Sequence, residues 1–426
     1  MMERTQFPRL GETCYFERLE NGLPIYVVTR PGFEKRYAFF AANYGGMDMR
    51  YQVDGQRRET PAGVAHYLEH KMFDTPQGNA LQMLSANGAS PNAFTGPAMT
   101  GYYFECTDRF TANLRMLLSF VSTPYFTRES VEKERGIIGQ EIQMVEDDPG
   151  WRLYHNLLEG LYRTHPLRVS VAGSLKSIAG ITAETLDDCH RAFYRPGNMA
   201  LCVAGDVDPE QVAAVARMAL SAGQGAEGEP PVKDYGPAED LSAAQSSVKT
   251  QMAVSAPNFL VGFKGAPHPQ GEEHLRLQLL GELAGELLCG QSSPVYQRLY
   301  DQGLINKRFD QSYEDYPGAA FLALGGESPD PEQVAQAILD EGARIRREGI
   351  SMERFCRCKK AVYGPRVRRL NSFDHCCVQL AQGQFNGYHY YRFPELFDGV
   401  GREETLSFLD ELLRPERMTL AVVAGE

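Results

Sequence analysis

One stretch of the chain, residues 60–73, reads Thr-Pro-Ala-Gly-Val-Ala-His-Tyr-Leu-Glu-His-Lys-Met-Phe. His66, Glu69 and His70 are spaced i, i+3 and i+4, so an α-helix would place their side chains on one face. Two imidazoles one turn apart can reach one metal ion, and a neighbouring carboxylate can take a proton from a metal-bound water. The spacing therefore predicts a helix over 61–73 that carries a hydrolytic metal site.

The residues around this motif predict how the helix begins and docks. Thr60 suits the N-cap, and Pro61 suits the first helical position. Val64, Leu68 and Met72 form a neighbouring apolar stripe that would pack on the core. The alternative is a helix with two solvated histidines and an unrelated glutamate, because three specified positions recur by chance in about one in a hundred chains of this length.

A second predicted helix, over 127–147, could supply a third ligand. Glu134 and Glu141 are two helical turns apart on it, with Ile137 and Ile138 between them. Two carboxylates on an otherwise apolar helical face are costly to bury unpaired, and a nearby cation would explain them. The alternative is a solvated acidic face.

Composition limits the class of protein and its partners. The chain has 426 residues and a net charge of −12. This length exceeds one ordinary core, so two domains are expected. The acidic balance argues against nucleic acid or an anionic membrane as a partner. The absence of an apolar run of ~18 residues and of a signal peptide predicts a cytoplasmic protein.

The cysteines are predicted to be reduced. There are nine, an odd number scattered over a long chain, which does not suit a disulfide framework. Cys356 and Cys358, together with residues 375–377 (His-Cys-Cys), could form a second zinc site, but their spacing matches no familiar pattern. Buried structural thiols are therefore favoured.

The second half of the chain repeats the first in outline. Arg195–Gly205 resembles Arg414–Gly425, and 258–266 resembles a strand predicted at 36–44. Such similarity indicates an internal duplication. The segment that corresponds to the His66 helix, 280–289, has no histidine. Only the first half is therefore expected to hold the metal.

A change of composition separates the two halves. Residues 223–248 are rich in Gly, Pro, Glu, Ala and Ser and lack apolar patterning, which is typical of a linker. We therefore predict an N-terminal metal-binding domain over 1–222 and a homologous C-terminal domain without the motif over 249–426.

Taken together, these motifs resemble the pitrilysin/insulinase family of zinc peptidases, and bacterial members of the YmfH type in particular. His66, Glu69 and His70 follow the His-x-x-Glu-His order of inverzincins, and the pair Glu134 and Glu141 matches the family's downstream helix. The resemblance implies an α+β fold of two homologous domains, each a mainly antiparallel sheet covered by helices. The resemblance further implies that such a chain is one half of a clamshell peptidase.

The resemblance also implies roles for these residues. His66, His70 and Glu141 would hold Zn2+, Glu69 would act as general base and then proton donor, and Glu134 would support the site. The implied activity is a zinc-dependent metalloendopeptidase that hydrolyses short or unfolded peptides.

A substrate-binding strand is implied in the same way. Residues 88–95, Gly-Ala-Ser-Pro-Asn-Ala-Phe-Thr, resemble the family's edge strand. The resemblance implies that Asn92, Ala93, Phe94 and Thr95 pair with an extended peptide substrate through backbone hydrogen bonds.

The chain departs from the family in its second half. Active members usually carry an Arg and a Tyr, seven residues apart, that contact substrate at the zinc. Here Tyr300 and Asn306 occupy those positions, and Arg298 is out of register. The departure suggests a heterodimer in which a related chain supplies the Arg/Tyr half-site; a homodimer that works differently is the milder alternative. A different alternative is a non-catalytic scaffold or assembly subunit of the same fold.

Overall fold

The computed structural model describes residues 1–220 and 229–425. The strands of the first part are β1 (Glu3–Phe7), β2 (Glu12–Arg18), β3 (Pro24–Thr29), β4 (Arg36–Ala42), β5 (Arg50–Val53), β6 (Gln56–Glu59), β7 (Asp74–Thr75), β8 (Gly78–Asn79), β9 (Ala89–Thr95), β10 (Thr100–Cys106) and β11 (Met199–Gly205). Its helices are α1 (Val64–Met72), α2 (Ala80–Ala86), α3 (Phe110–Ser122), α4 (Arg128–Glu146), α5 (Pro149–Leu161), α6 (Leu175–Ile178), α7 (Ala183–Phe193) and α8 (Pro209–Ala219).

The second part has fewer strands and longer helices. The strands are β12 (Val232–Lys233), β13 (Ser247–Gln251), β14 (Asn258–Gly265), β15 (Asp310–Tyr316), β16 (Ala319–Glu327) and β17 (Met418–Ala424). The helices are α9 (Glu272–Cys289), α10 (Pro294–Asp301), α11 (Pro331–Glu348), α12 (Met352–Arg369), α13 (Phe373–Asn386), α14 (Phe393–Asp398) and α15 (Arg402–Leu412). Within the described ranges, no helix is long and apolar enough to cross a membrane.

Two sheets share one topology. The larger has the order β1-β2-β3-β11-β4-β10-β9, and the smaller has β13-β17-β14-β16-β15. In each, one pair is parallel, β3 with β11 and β13 with β17, and the other pairs are antiparallel. The smaller sheet thus repeats the last five strands of the larger one. This confirms the predicted α+β class with mainly antiparallel sheets covered by helices, and the strand order follows the repeat seen in the sequence.

The central strands read as continuous apolar runs for a physical reason. Every residue of β11 is buried, and so are nearly all residues of β4. Strands covered on both faces need apolar side chains at every position instead of alternate ones. The larger sheet therefore lies inside its unit.

The chain forms two compact units that exchange segments. The first contains the described residues of 1–142, 169–235 and 369–391, and the second contains 143–168, 236–368 and 392–425. Helix α5, from the first half of the chain, packs on β13, β14 and β17 of the second unit, and α13 packs on β4 and β11 of the first. The predicted domains, in contrast, are contiguous in sequence. The loops that connect the elements decide which helix covers an apolar sheet face. Hydrophobic periodicity in the sequence does not specify which helix that is.

The predicted linker over 223–248 contains regular structure where it is described. Residues 221–228 lie outside the described part of the chain. Beyond them, β12 pairs with β5, and β13 begins at Ser247. Lys233 lies 2.9 Å from the fully buried Asp48 carboxylate. Residues 229–235 are therefore anchored to the first unit, and the rest of the segment, from residue 236, belongs to the second.

A buried ion pair holds part of the second unit together. The Glu239 carboxylate accepts hydrogen bonds from the backbone N–H groups of residues 163–165 and lies 2.7 Å from Lys264 Nζ. Burial opposes ionisation, but the Lys264 hydrogen bond and the three backbone donors hold the pKa of Glu239 well below its usual range. The Lys264 side chain is only 3% exposed, so the carboxylate is what compensates its buried charge.

Replacing Glu239 by alanine is therefore expected to lower the free energy of unfolding at pH 7 by about 3 kcal/mol, because it leaves Lys264 buried without a counter-charge. Urea denaturation measures the effect. The exposed Glu416 of the same unit, replaced by alanine, is the matched control and should leave stability nearly unchanged. Since the folded pKa of Glu239 is depressed, its contribution is complete above about pH 4.3 and is lost as the pH falls towards that folded pKa. Equal stabilities for wild type and Glu239→Ala at pH 7 would contradict the prediction.

Candidate metal centre

The helix that carries the motif begins later than predicted. Its first residue is Val64, and its N-cap is Gly63, which has φ 97° and no side chain to donate or accept. A Cβ at Gly63 would lie 2.6 Å from the Ala172 carbonyl oxygen, so both the left-handed conformation and the close approach require glycine. The predicted start at Thr60 and Pro61 is therefore wrong. Thr60 instead donates its hydroxyl to the Met49 carbonyl.

The docking of α1 follows the predicted stripe. Val64, Leu68 and Met72 are all at most 2% exposed. Tyr67 is also buried, and its hydroxyl donates to the Val131 carbonyl on α4. These contacts fix α1 against α4 and leave the histidine-bearing face turned towards that helix.

Three side chains from α1 and α4 converge. His66 Nε2 lies 3.5 Å from one oxygen of Glu141, and His70 Nε2 lies 3.5 Å from the other. The three potential ligand atoms are all within 4.8 Å of one another. Two imidazole nitrogens and a carboxylate oxygen form a donor set that suits zinc and leaves a further position open. The residues present therefore fit a zinc ion.

Glu134 supports the arrangement from the far side of His70. Its carboxylate lies 3.1 Å from His70 Nδ1. With Nδ1–H donating to Glu134, the lone pair on Nε2 faces Glu141, as a metal ligand requires. The predicted apolar face between the two glutamates is only half present, because Ile138 is buried and Ile137 is 49% exposed.

Lys71 is part of this network and was not singled out from the sequence. Its side chain is 2% exposed, its Nζ lies 3.8 Å from Glu134, and it is hydrogen-bonded to Asp74. The only sign of its role in the sequence is its position directly after His70, and that position by itself is too weak to predict a contact with Glu134. Lys71 supplies a positive charge that helps to keep Glu134 ionised.

The charges of the site respond to each other. Burial lowers the pKa of His70, but the hydrogen bond to Glu134 and the charges of Glu69 and Glu141 outweigh it and raise that pKa. The hydrogen bond with His70 lowers the pKa of Glu134, and the one with His66 lowers the pKa of Glu141. Both carboxylates are therefore ionised at neutral pH, and the site attracts a cation.

Glu69 is held by the adjacent sheet. Thr95, at the end of β9, donates its hydroxyl to Glu69 Oε2 at 2.5 Å. The Thr100 hydroxyl lies 3.5 Å from that of Thr95 and donates to the Tyr44 carbonyl. The family resemblance implies only a substrate-binding role for Thr95, whereas the structure also makes it the partner that orients Glu69.

The strand predicted to bind substrate lies at the edge of the larger sheet. β9 pairs with β10 on one side, with Thr95 opposite Thr100, and no strand in the described part of the chain pairs with its other side. The Ala93 N–H donates to the side-chain oxygen of Asn92 at 2.9 Å. Asn92 is exposed, and Ala93 and Phe94 are half-buried.

The residues at the predicted Arg/Tyr positions lie in the second unit. Tyr300 and Arg298 are exposed on α10. Asn306 donates its amide to Glu327 at 2.8 Å. None of the three belongs to the unit that holds His66, His70 and Glu141.

Other side chains that can bind metals are the cysteines and a second group of histidines with an aspartate. All nine cysteines are free thiols, and Cys356 alone is exposed. The described ranges contain a second group that could hold a metal, His268, His274 and Asp315 in the second unit. The sequence did not indicate this group, because its members are distant in sequence and follow no motif.

Comparison with protein families gives two matches. Residues 53–174 match the model described as insulinase (peptidase family M16), and residues 180–362 match the model described as the peptidase M16 inactive domain. The first match contains all the residues of the candidate metal centre.

Individual relatives extend the similarity to the whole length. The uncharacterized zinc protease YmfH of Bacillus subtilis is 35% identical over 431 residues, which cover 99% of each chain. The crystal structure of an M16-like peptidase from Alicyclobacillus acidocaldarius has a TM-score of 0.93 and 33% identity, covering 97% of this chain and 99% of that one. Pitrilysin has a TM-score of 0.77 and 19% identity; 99% of this chain matches 46% of it, which shows a shared fold.

Proposed function

The chain belongs to the insulinase (M16) family of peptidases, as a member of the YmfH type, and we propose that it is a zinc-dependent metalloendopeptidase acting on short or unfolded peptides. The observation that carries the proposal is the convergence of His66 Nε2, His70 Nε2 and a Glu141 oxygen within 4.8 Å of one another. Glu69 lies one turn away from His66 on the same helix and is held by Thr95.

Each residue has a role in this proposal. His66, His70 and Glu141 would hold the zinc ion. When bound, zinc lowers the pKa of a water and polarises the scissile carbonyl. Glu69 would take the proton of the attacking water and return it to the leaving amine. The Thr95 hydroxyl fixes one Glu69 oxygen, so the other is free to face the substrate.

The edge of β9 would position the peptide. An extended substrate would add to the sheet beside Asn92–Thr95 through backbone hydrogen bonds, which gives register with little sequence specificity. The Asn92 side chain occupies the Ala93 N–H, and it would have to rotate away before a substrate carbonyl could bind there.

The proposal is tested by zinc content and peptide cleavage. Purified protein should contain zinc, cleave quenched fluorescent peptides, lose activity to a chelator and regain it when zinc is returned. A folded chain that binds no zinc and cleaves no peptide, alone or with any related chain, would overturn it. The alternative, a non-catalytic scaffold subunit, predicts that result, but it gives no reason for the complete ligand set.

Replacing Glu134 by glutamine is expected to weaken zinc affinity by about 10- to 100-fold, because an amide holds the His70 imidazole less firmly and does not strengthen it as a ligand. Competition with a chromophoric chelator measures the affinity. Glu132→Gln, on the exposed side of α4, is the matched control and should leave affinity unchanged. Equal affinities for Glu134→Gln and the control would contradict the role proposed for Glu134.

We also propose that the active form is a dimer whose other member is a related chain with the Arg/Tyr half-site. Tyr300 and Asn306, at the positions where active relatives are expected to carry Arg and Tyr, support it, and Asn306 is already bound to Glu327. The isolated chain is expected to cleave peptide at least about 10-fold more slowly than a mixture with such a partner. Full activity from the chain alone would contradict the heterodimer and leave the homodimer or a monomer.

A further inference from the structure

The second unit contains a buried group of metal-ligating side chains. His268 lies between β14 and α9, His274 is in the first turn of α9, and Asp315 is on β15. Their side chains are 2%, 5% and 5% exposed. One nitrogen from each histidine and one Asp315 oxygen are within 4.8 Å of one another.

His274 has a defined orientation towards Asp315. Its Nδ1 lies 3.1 Å from the Pro269 carbonyl oxygen, which can only accept, so Nδ1 carries a hydrogen. Its Nε2 then faces Asp315 Oδ2 at 3.0 Å. In a neutral imidazole that nitrogen is an acceptor, and two acceptors at this distance need a proton or a metal ion between them.

His268 directs a ring nitrogen without a hydrogen-bond partner towards Asp315. Its Nε2 is 2.9 Å from the Tyr313 hydroxyl. Its Nδ1 is buried, has no hydrogen-bond partner, and lies 3.9 Å from Asp315 Oδ2. A buried ring nitrogen without a partner is unfavourable, and a metal ion would satisfy it.

The surroundings are built to hold these rings. The His268 and Tyr313 rings are stacked, with centroids 5.6 Å apart. Tyr313 lies over Gly281 of α9, where a Cβ would come within 2.4 Å of its ring. Pro269 and Tyr313 thus fix the outer nitrogens of both histidines, which is the usual arrangement around metal-bound imidazoles.

We propose that His268, His274 and Asp315 form a second metal site, which binds a divalent transition-metal ion of the zinc class. Two imidazoles and one carboxylate select such ions over Mg2+ or Ca2+. The near-complete burial favours a structural role: the ion would join the segment before α9, the helix itself and the edge strand β15. The site is independent of the proposed peptidase centre, since none of its residues belongs to the first unit.

The test uses a chain from which the first centre has been removed. His66→Ala/His70→Ala protein, freed of loosely held metal, should retain about one zinc ion per chain, against about two in the wild type, when measured by mass spectrometry of the metal. Adding zinc to the metal-free variant should raise its Tm by about 5 °C or more. Cobalt(II) should give visible bands without sulfur-to-metal charge transfer, because no cysteine is a ligand.

Variants of the second group complete the experiment. His268→Gln/Asp315→Asn, added to the same background, should lose the remaining ion and the Tm shift. His165→Gln removes another buried histidine of the second unit that belongs to neither metal group, and it should keep both. A folded His66→Ala/His70→Ala chain without bound metal and without a Tm shift would overturn the proposal. If the His66→Ala/His70→Ala chain does not fold, the wild type and the His268→Gln/Asp315→Asn variant are compared directly. Their zinc contents must then differ by about one ion per chain, and equal zinc contents would overturn the proposal.

Discussion

Replacing Glu69 by glutamine is expected to reduce kcat for peptide hydrolysis by at least about 10³-fold and to leave the zinc content unchanged. A glutamine side chain has nearly the same shape as glutamate but cannot take a proton from the attacking water, and general acid–base catalysis of this kind contributes about 10²- to 10⁴-fold. The zinc ligands proposed here are His66, His70 and Glu141, so the metal should remain. Peptide cleavage and metal content, measured on the same preparation, check both parts.

A loss of activity in Glu69→Gln would reflect lost catalysis and not misfolding. The Glu69 side chain is buried and accepts from Thr95, and the glutamine oxygen can accept the same hydrogen bond, so the fold should persist. Glu132→Gln, on the exposed side of α4, makes the same chemical change away from the site and should keep full activity. A Glu69→Gln enzyme with more than about a tenth of wild-type kcat would exclude Glu69 as the general base.

Replacing Glu141 by alanine is expected to remove zinc from the first unit and, with it, all measurable peptidase activity. Two histidines alone make a weak site, and losing a direct ligand should weaken affinity by roughly 10³-fold or more, beyond the 10- to 100-fold typical of an outer partner. Stability should change little, since Glu141 is a half-exposed residue on a helix. The adjacent and exposed Gln140, replaced by alanine, is the matched control.

The zinc measurement for Glu141→Ala depends on the second metal group. If His268, His274 and Asp315 bind an ion as proposed, the variant should fall from about two zinc ions to about one. If they do not, it should fall from about one to none. Undiminished zinc affinity at the first centre would show that Glu141 is not a ligand.

The two predictions differ in how much each owes to the sequence. The relation of Glu69 to His66 and His70 was predictable, because one turn of α-helix fixes it regardless of the rest of the fold. The start of that helix was not, because Gly63 is required by its contact with Ala172, more than a hundred residues away in the chain. The position of Glu141 on its helix and the family resemblance predict that it is a metal ligand. Only the packing of α4 on α1 brings its carboxylate to both imidazoles.

By itself, the sequence determined the local features of this protein: the His-x-x-Glu-His helix, the strands at 36–44 and 88–95, the internal repeat and, through these, the family. Each depends on residues that are near one another in the chain or on a pattern that recurs within it. Only the tertiary structure decided the exchange of α5 and α13 between the units, the contact of Thr95 with Glu69, and the group of His268, His274 and Asp315. These depend on which segments pack together to bury apolar surface, and side chains that meet across such contacts leave no periodic signal in the sequence.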